Sequence, residues 1–165
     1  MFEKVLVCLD GSALAEQIMP YISAESASFG KVVILKVVDT SAINVPLAIP
    51  GVSSTPLHTQ GMDKRFQKEM SEMPAYLETM AQPLRDKGLD VECVILQGTP
   101  SQAIPAYAAE NEISLIAIAT HGHSGLRQVV LGSTAEYVLK HCGLPVLLVA
   151  PTKYPTYTIG NIPSD

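Results

Sequence analysis

Five short runs rich in Val, Ile and Leu constrain what this chain can fold into: residues 5–9 (VLVCL), 32–38 (VVILKVV), 91–96 (VECVIL), 115–119 (LIAIA) and 146–149 (VLLV). Each is too short for a helix and nearly continuous in its hydrophobicity, as a strand covered on both faces should be. The segments between them carry helical spacing. Leu14, Ile18 and Ile22 form one stripe, which Pro20 is expected to kink. Phe66, Met70, Met73, Leu77, Met80 and Leu84 form a second, in which Pro74 offers a break by disfavouring helical geometry at Met73. Thr99-Pro100 reads as a cap and first-turn proline before a helix carrying Ile104 and Tyr107, and a last helix starts near Ser133. Strands alternating with helices predict an α/β fold, a doubly wound five-stranded parallel sheet with right-handed crossovers. Its ligand crevice is expected at the C-terminal ends of the strands, where the winding reverses.

The length of 165 residues fits one domain with a substantial core, and a charged fraction of 16% beside a hydrophobic fraction of 47% argues against disorder. A net charge of -5 gives no basic footprint, so nucleic acid is not an expected partner. No apolar run approaches the roughly 20 residues of a membrane span, so no membrane association is expected. Met1-Phe2-Glu3-Lys4 enters the first run without the features of a signal peptide, which reads as a cytoplasmic protein. Cys8, Cys93 and Cys142 are widely spaced in apolar or helical patterns and are expected to be buried, reduced thiols.

Residues 1–150 are expected to form the domain, with residues 151–165 as a C-terminal extension. The loop over residues 39–63, with Pro46, Pro50, Gly51 and Pro56, is a candidate lid or interface, or a plain surface excursion. A Walker loop is absent, and no G-x-G-x-x-G follows the first run. Asp39 ends the second run, where a dinucleotide site carries its ribose acid; without the glycine fingerprint it reads as a loop residue. Gly122-His123-Ser124-Gly125 fails as a nucleophile elbow because Leu126 stands where glycine is required. His121 and His123 lack a clear set of further ligands, so no metal held by protein alone is expected.

The pattern that remains is Ala119-Thr120-His121-Gly122, nine residues, then Gly132-Ser133-Thr134. Glycines at 122, 125 and 132 permit close backbone approach, so that successive amides can surround phosphate oxygens. Ser133 and Thr134 then stand at a helix N-terminus, where unpaired N–H groups and the dipole favour an anion. Ser133-Thr134-Ala135-Glu136 also fits a capping box, and one hydroxyl can serve both purposes.

With "KVLVCLDGS" at the start, "VVILKVVD" as the second strand and "GLPVLLV" as the last, the chain resembles the universal stress protein family in its nucleotide-binding form, whose signature is G-x2-G-x9-G-[ST]. Ala119 stands at the signature's first glycine, where its methyl group can be accommodated at a strand end or crowd a ribose or phosphate. The resemblance implies a Rossmann-like sheet of the adenine nucleotide alpha hydrolase type, with strand order 3-2-1-4-5. It also implies a stress-survival role as a ligand-responsive module, and a homodimer paired through the last strand. The implied ligand is ATP or another adenine nucleotide, with or without Mg²⁺. It would be held by Cys8, Leu9, Asp10, Val37, Ile118, Ala119, Thr120, His121, Gly122, His123, Ser124, Gly125, Gly132, Ser133 and Thr134. Asp10 is implied to bond the ribose or adenine; its local alternative is to cap the helix entered through Gly11-Ser12. No catalytic residue is assigned. A slow nucleotide hydrolase using Asp10 or His121, and a nucleotide-free dimeric interaction protein, stay open as alternatives.

Overall fold

All five apolar runs form strands. The computed structural model describes residues 1–40, 60–120 and 131–150, with only the backbone for residues 60–66 and 69. The strands are β1 (Phe2–Leu9), β2 (Phe29–Asp39), β3 (Asp90–Gly98), β4 (Leu115–Ala119) and β5 (Val146–Val149). They make one five-stranded sheet in the order β3-β2-β1-β4-β5, and every neighbouring pair is parallel. The first three strands step one way from β1, and the chain then crosses to its other side for β4 and β5. The winding therefore reverses between β1 and β4.

Parallel neighbours need crossovers, and the helices that supply them cover both faces. A 3-10 turn (Ala15–Ile18) leads into α1 (Met19–Ala24), and α2 (Gln60–Arg85) joins β2 to β3. These pack with Val5, Val7, Leu9, Val32, Ile34 and Ala117 on one face through Ile18, Ile22, Leu77, Ala81 and Leu84. On the other face α3 (Pro100–Glu110) and α4 (Ser133–His141) bring Ile104, Ala108, Ala135 and Val138 against Leu6, Cys8, Val33, Leu35, Ile116 and Ile118. Among the described residues no helix is long and apolar enough to cross a membrane.

Several local expectations are corrected. Pro74 does not split α2, which continues through both Pro74 and Pro83. Both prolines are exposed, while Met73, Leu77, Ala81 and Leu84 are buried; burial of that stripe outweighs the hydrogen bonds the prolines cannot make. Pro20 falls in the first turn of α1, where its missing N–H costs little, and the Leu14, Ile18 and Ile22 stripe is divided between a 3-10 turn and a short α-helix. The expected loop over residues 39–63 is shorter at its end, because α2 begins at Gln60. Residues 41–59, the extension over 151–165 and the side chain of Phe66 lie outside what is described. All three cysteines are free, but only Cys8 is buried: Cys93 lies on the edge strand β3 and Cys142 ends α4.

Leu77 is fully buried in the centre of the α2 stripe. Leu77→Ala is expected to lower the unfolding free energy in urea by about 2–5 kcal/mol, whereas truncating the exposed neighbour Thr79 should change it by less than about 0.5 kcal/mol.

Candidate functional site

The reversal of winding opens a cavity of about 390 Å³ at the C-terminal ends of β1, β2 and β4. Its apolar wall comes from Cys8 and Leu9 of β1, Leu35, Val37 and Val38 of β2, and Ile118 and Ala119 of β4, joined by Ile104 of α3. Its polar groups come from Asp10, Lys36, Asp39, Ser133 and Thr134. The strand ends are forced together by register: Leu9 pairs with Lys36 on one side of β1, and Cys8 with Ile118 on the other.

The cavity thus unites residues from widely separated parts of the sequence. Cys8, Leu9, Asp10, Val37, Ile118, Ala119, Gly132, Ser133 and Thr134, all singled out from the sequence, line it together. The methyl group of Ala119 packs against the core face shared with Leu9 and Ala15, as an ordinary strand-end side chain would. Thr120 differs. It is 2% exposed, does not line the cavity, and its N–H donates to the Val149 carbonyl at 2.8 Å, so its place is in tying β4 to β5. His121, Gly122, His123, Ser124 and Gly125 lie outside the described residues.

The polar groups of the cavity come from two parts of the fold. In one of them, α4 starts at Gly132, whose φ of -61° and ψ of 153° make it the N-cap, and Ser133 and Thr134 are the first helical residues. The first α4 amide with a carbonyl four residues back is that of Glu136, which donates to Gly132 at 2.9 Å. The amides of Ser133, Thr134 and Ala135 precede it, and all three residues line the cavity. The expected capping box is therefore not formed: no side chain caps α4, and Glu136 instead accepts from Lys140 at 2.6 Å. A shift of one position explains this, because Ser133 already has helical geometry and its hydroxyl cannot reach the amide that a cap residue would serve.

In the other part, Asp10 does not cap the Ala15–Ile18 turn. Its Oδ1 accepts the Ser12 N–H at 2.8 Å, and the Ser12 hydroxyl accepts that of Ala15 at 3.1 Å. The buried Lys36 ammonium donates to the Asp10 carbonyl at 2.8 Å. Sequence reasoning missed Lys36, although a lysine interrupting an otherwise apolar strand was a visible signal. It also set Asp39 aside, whereas the structure makes it the last residue of β2 and part of the cavity wall. Ile104 and Pro100 were legible only as helix residues, since their approach depends on the crossover. Among the described residues no group of three or more His, Cys, Asp and Glu side chains is arranged to hold a metal ion.

Residues 1–150 match the profile of the Universal stress protein family. The chain belongs to that family. It is 26% identical over 154 residues to Universal stress protein MJ0577 of Methanocaldococcus jannaschii, spanning 90% of this chain and 95% of that one. The solved MJ0577 structure superposes with a TM-score of 0.72 at 24% identity, covering 93% of this chain and 99% of its own. A universal stress protein solved in complex with cAMP has the same fold, with a TM-score of 0.62, 20% identity and coverage of 92% and 98%. So has a family protein from Arabidopsis thaliana solved with AMP bound, with a TM-score of 0.57, 16% identity and coverage of 92% and 93%.

Burial pushes the Cys8 thiol up from 9.0 to about 12. Between those values the unfolded chain releases this proton and the native chain keeps it, so this residue's contribution to stability is full below pH 9 and falls as pH rises. Urea titrations from pH 8 to pH 11 should show a shallower loss of stability in Cys8→Ala than in the wild type; parallel curves would contradict this burial effect.

Proposed function

We propose that this universal stress protein is a binding module for an adenine nucleotide, ATP or a relative of it, which occupies the cavity at the reversal of winding. The observation that carries the reading is the pairing, in one cavity, of an apolar slot with a helix N-terminus. Leu35, Val37, Ile104 and Ile118 offer flat apolar surface suited to a purine. The amides of Ser133, Thr134 and Ala135, with two hydroxyls, suit phosphate oxygens. Asp10 suits the hydroxyls of a sugar. The donor set therefore fits each part of a nucleotide, and the AMP and cAMP found on family members agree with that chemistry. The nucleotide would bring its own charge and any Mg²⁺; the chain's part is to cover the base, orient the sugar and present N–H groups to the phosphates.

Two copies are proposed to pair through β5, which has β4 on one side and ends the sheet on the other. Its Val146, Leu147 and Leu148 are only half-buried, and pairing would satisfy the open edge. Light scattering on purified protein should then give twice the chain mass of 17.6 kDa, and Leu148→Pro, at a position whose N–H faces the open edge because the carbonyls of Pro145 and Val149 point toward β4, should reduce it to one.

Calorimetric titration with adenosine, AMP, ADP and ATP tests the nucleotide reading. Saturable binding is expected, and Ser133→Ala with Thr134→Ala should weaken AMP and ATP by roughly tenfold while adenosine changes by less than about threefold. Absence of binding by any of the four at millimolar ligand would overturn it.

A further inference from the structure

Lys36 is an expensive residue for its position. It sits on β2, a strand covered on both faces, and is 7% exposed, whereas lysine is almost never so buried without partners. A leucine or methionine would fill the same volume without the cost of desolvating an ammonium. The structure shows one group to which the charge is attached. Leu9 is its register partner on β1, and the next residue's carbonyl, that of Asp10, accepts from Lys36 Nζ at 2.8 Å.

The turn around this contact is built to it. Gly11 has a φ of +88°, a conformation that favours glycine, and a Cβ at that position would lie 2.8 Å from Lys36 Nζ. Any side chain at residue 11 would therefore both strain the turn and push the ammonium aside. Asp10 is held at its main chain by Lys36 and at its carboxylate by the Ser12 N–H. Both Asp10 and Lys36 line the cavity.

Resting on the nucleotide reading above, we propose that Lys36 is a positioning residue, whose buried ammonium fixes the Asp10–Gly11–Ser12 turn so that the Asp10 carboxylate meets the hydroxyls of a bound ribose. Lys36 thereby makes the cavity selective for a ribosyl ligand over one lacking those hydroxyls.

The test is titration of adenosine and 2′,3′-dideoxyadenosine into the wild type, Lys36→Met, Lys36→Arg and Asp10→Ala, with hydrogen exchange at the Ser12 amide measured in parallel. The wild type should prefer adenosine by about tenfold. In Lys36→Met and Asp10→Ala that preference should fall to within about twofold, with dideoxyadenosine affinity unchanged, and Lys36→Arg should keep most of it. Ser12 exchange should accelerate in Lys36→Met and not in Lys36→Arg. A folded Lys36→Met that keeps the sugar preference, or that loses both nucleosides equally, overturns the assignment while leaving the nucleotide reading intact. So does a wild type that binds both nucleosides alike. A wild type that binds neither of them, nor ATP, overturns both. Should Lys36→Met fail to fold, Gly11→Ala, which displaces the ammonium without removing it, must show the same collapse; retention of the preference there contradicts the proposal.

Discussion

Burial of a parallel sheet on both faces dictates both the sequence pattern and the path of this chain. It requires strands without a polar side, hence the continuous Val, Ile and Leu runs, and it requires crossovers that return the chain to the same end of the sheet. With β1 central and the later strands placed on either side of it, the strand ends between β1 and β4 have no crossover lying over them. The cavity is the geometric result of that reversal. Its wall is apolar because the strand core continues into it, and its polar groups lie where strands end and helices begin.

That origin explains why the fold was largely legible in the sequence. The residues 115–119 and 146–149 read as strands and are strands to the residue; β1, β2 and β3 run beyond their apolar centres because ladder pairing continues through flanking residues such as Phe2 and Lys4. Helix boundaries were less legible. Pro74 looked like a break because local propensity was weighed without the sheet against which Leu77 and Ala81 pack. The capping pattern at Ser133 was one position out because Gly132 supplies the extended backbone that a cap needs, without a side chain to announce it.

The candidate site divides in the same way. Leu9, Asp10, Val37, Ile118 and Ala119 were named through the family resemblance, and their places at the C-terminal ends of strands agree with the crevice rule. Lys36 could not be placed by that rule, since its meaning depends on which carbonyl the neighbouring strand presents to it. Ile104 enters from α3, far along the chain, and only the packing of that helix onto the β1 and β2 face brings it to the cavity. The residues that sequence reasoning missed are thus those whose role is set by tertiary neighbours. Those it found stand at strand ends or at the start of α4, where the family's motif can be matched residue by residue.

In the proposed complex, one cavity at the reversal of winding takes a nucleotide with its base against the strand ends and its phosphate at α4. Chemical-shift mapping of the isotope-labelled protein during an AMP titration addresses it most directly. Saturable shifts are expected, concentrated at Leu9, Asp10, Val37, Ile118, Ser133 and Thr134, with the β3 edge and the outer face of α2 unmoved. Shifts clustered on any other surface, or none at millimolar AMP, would contradict it.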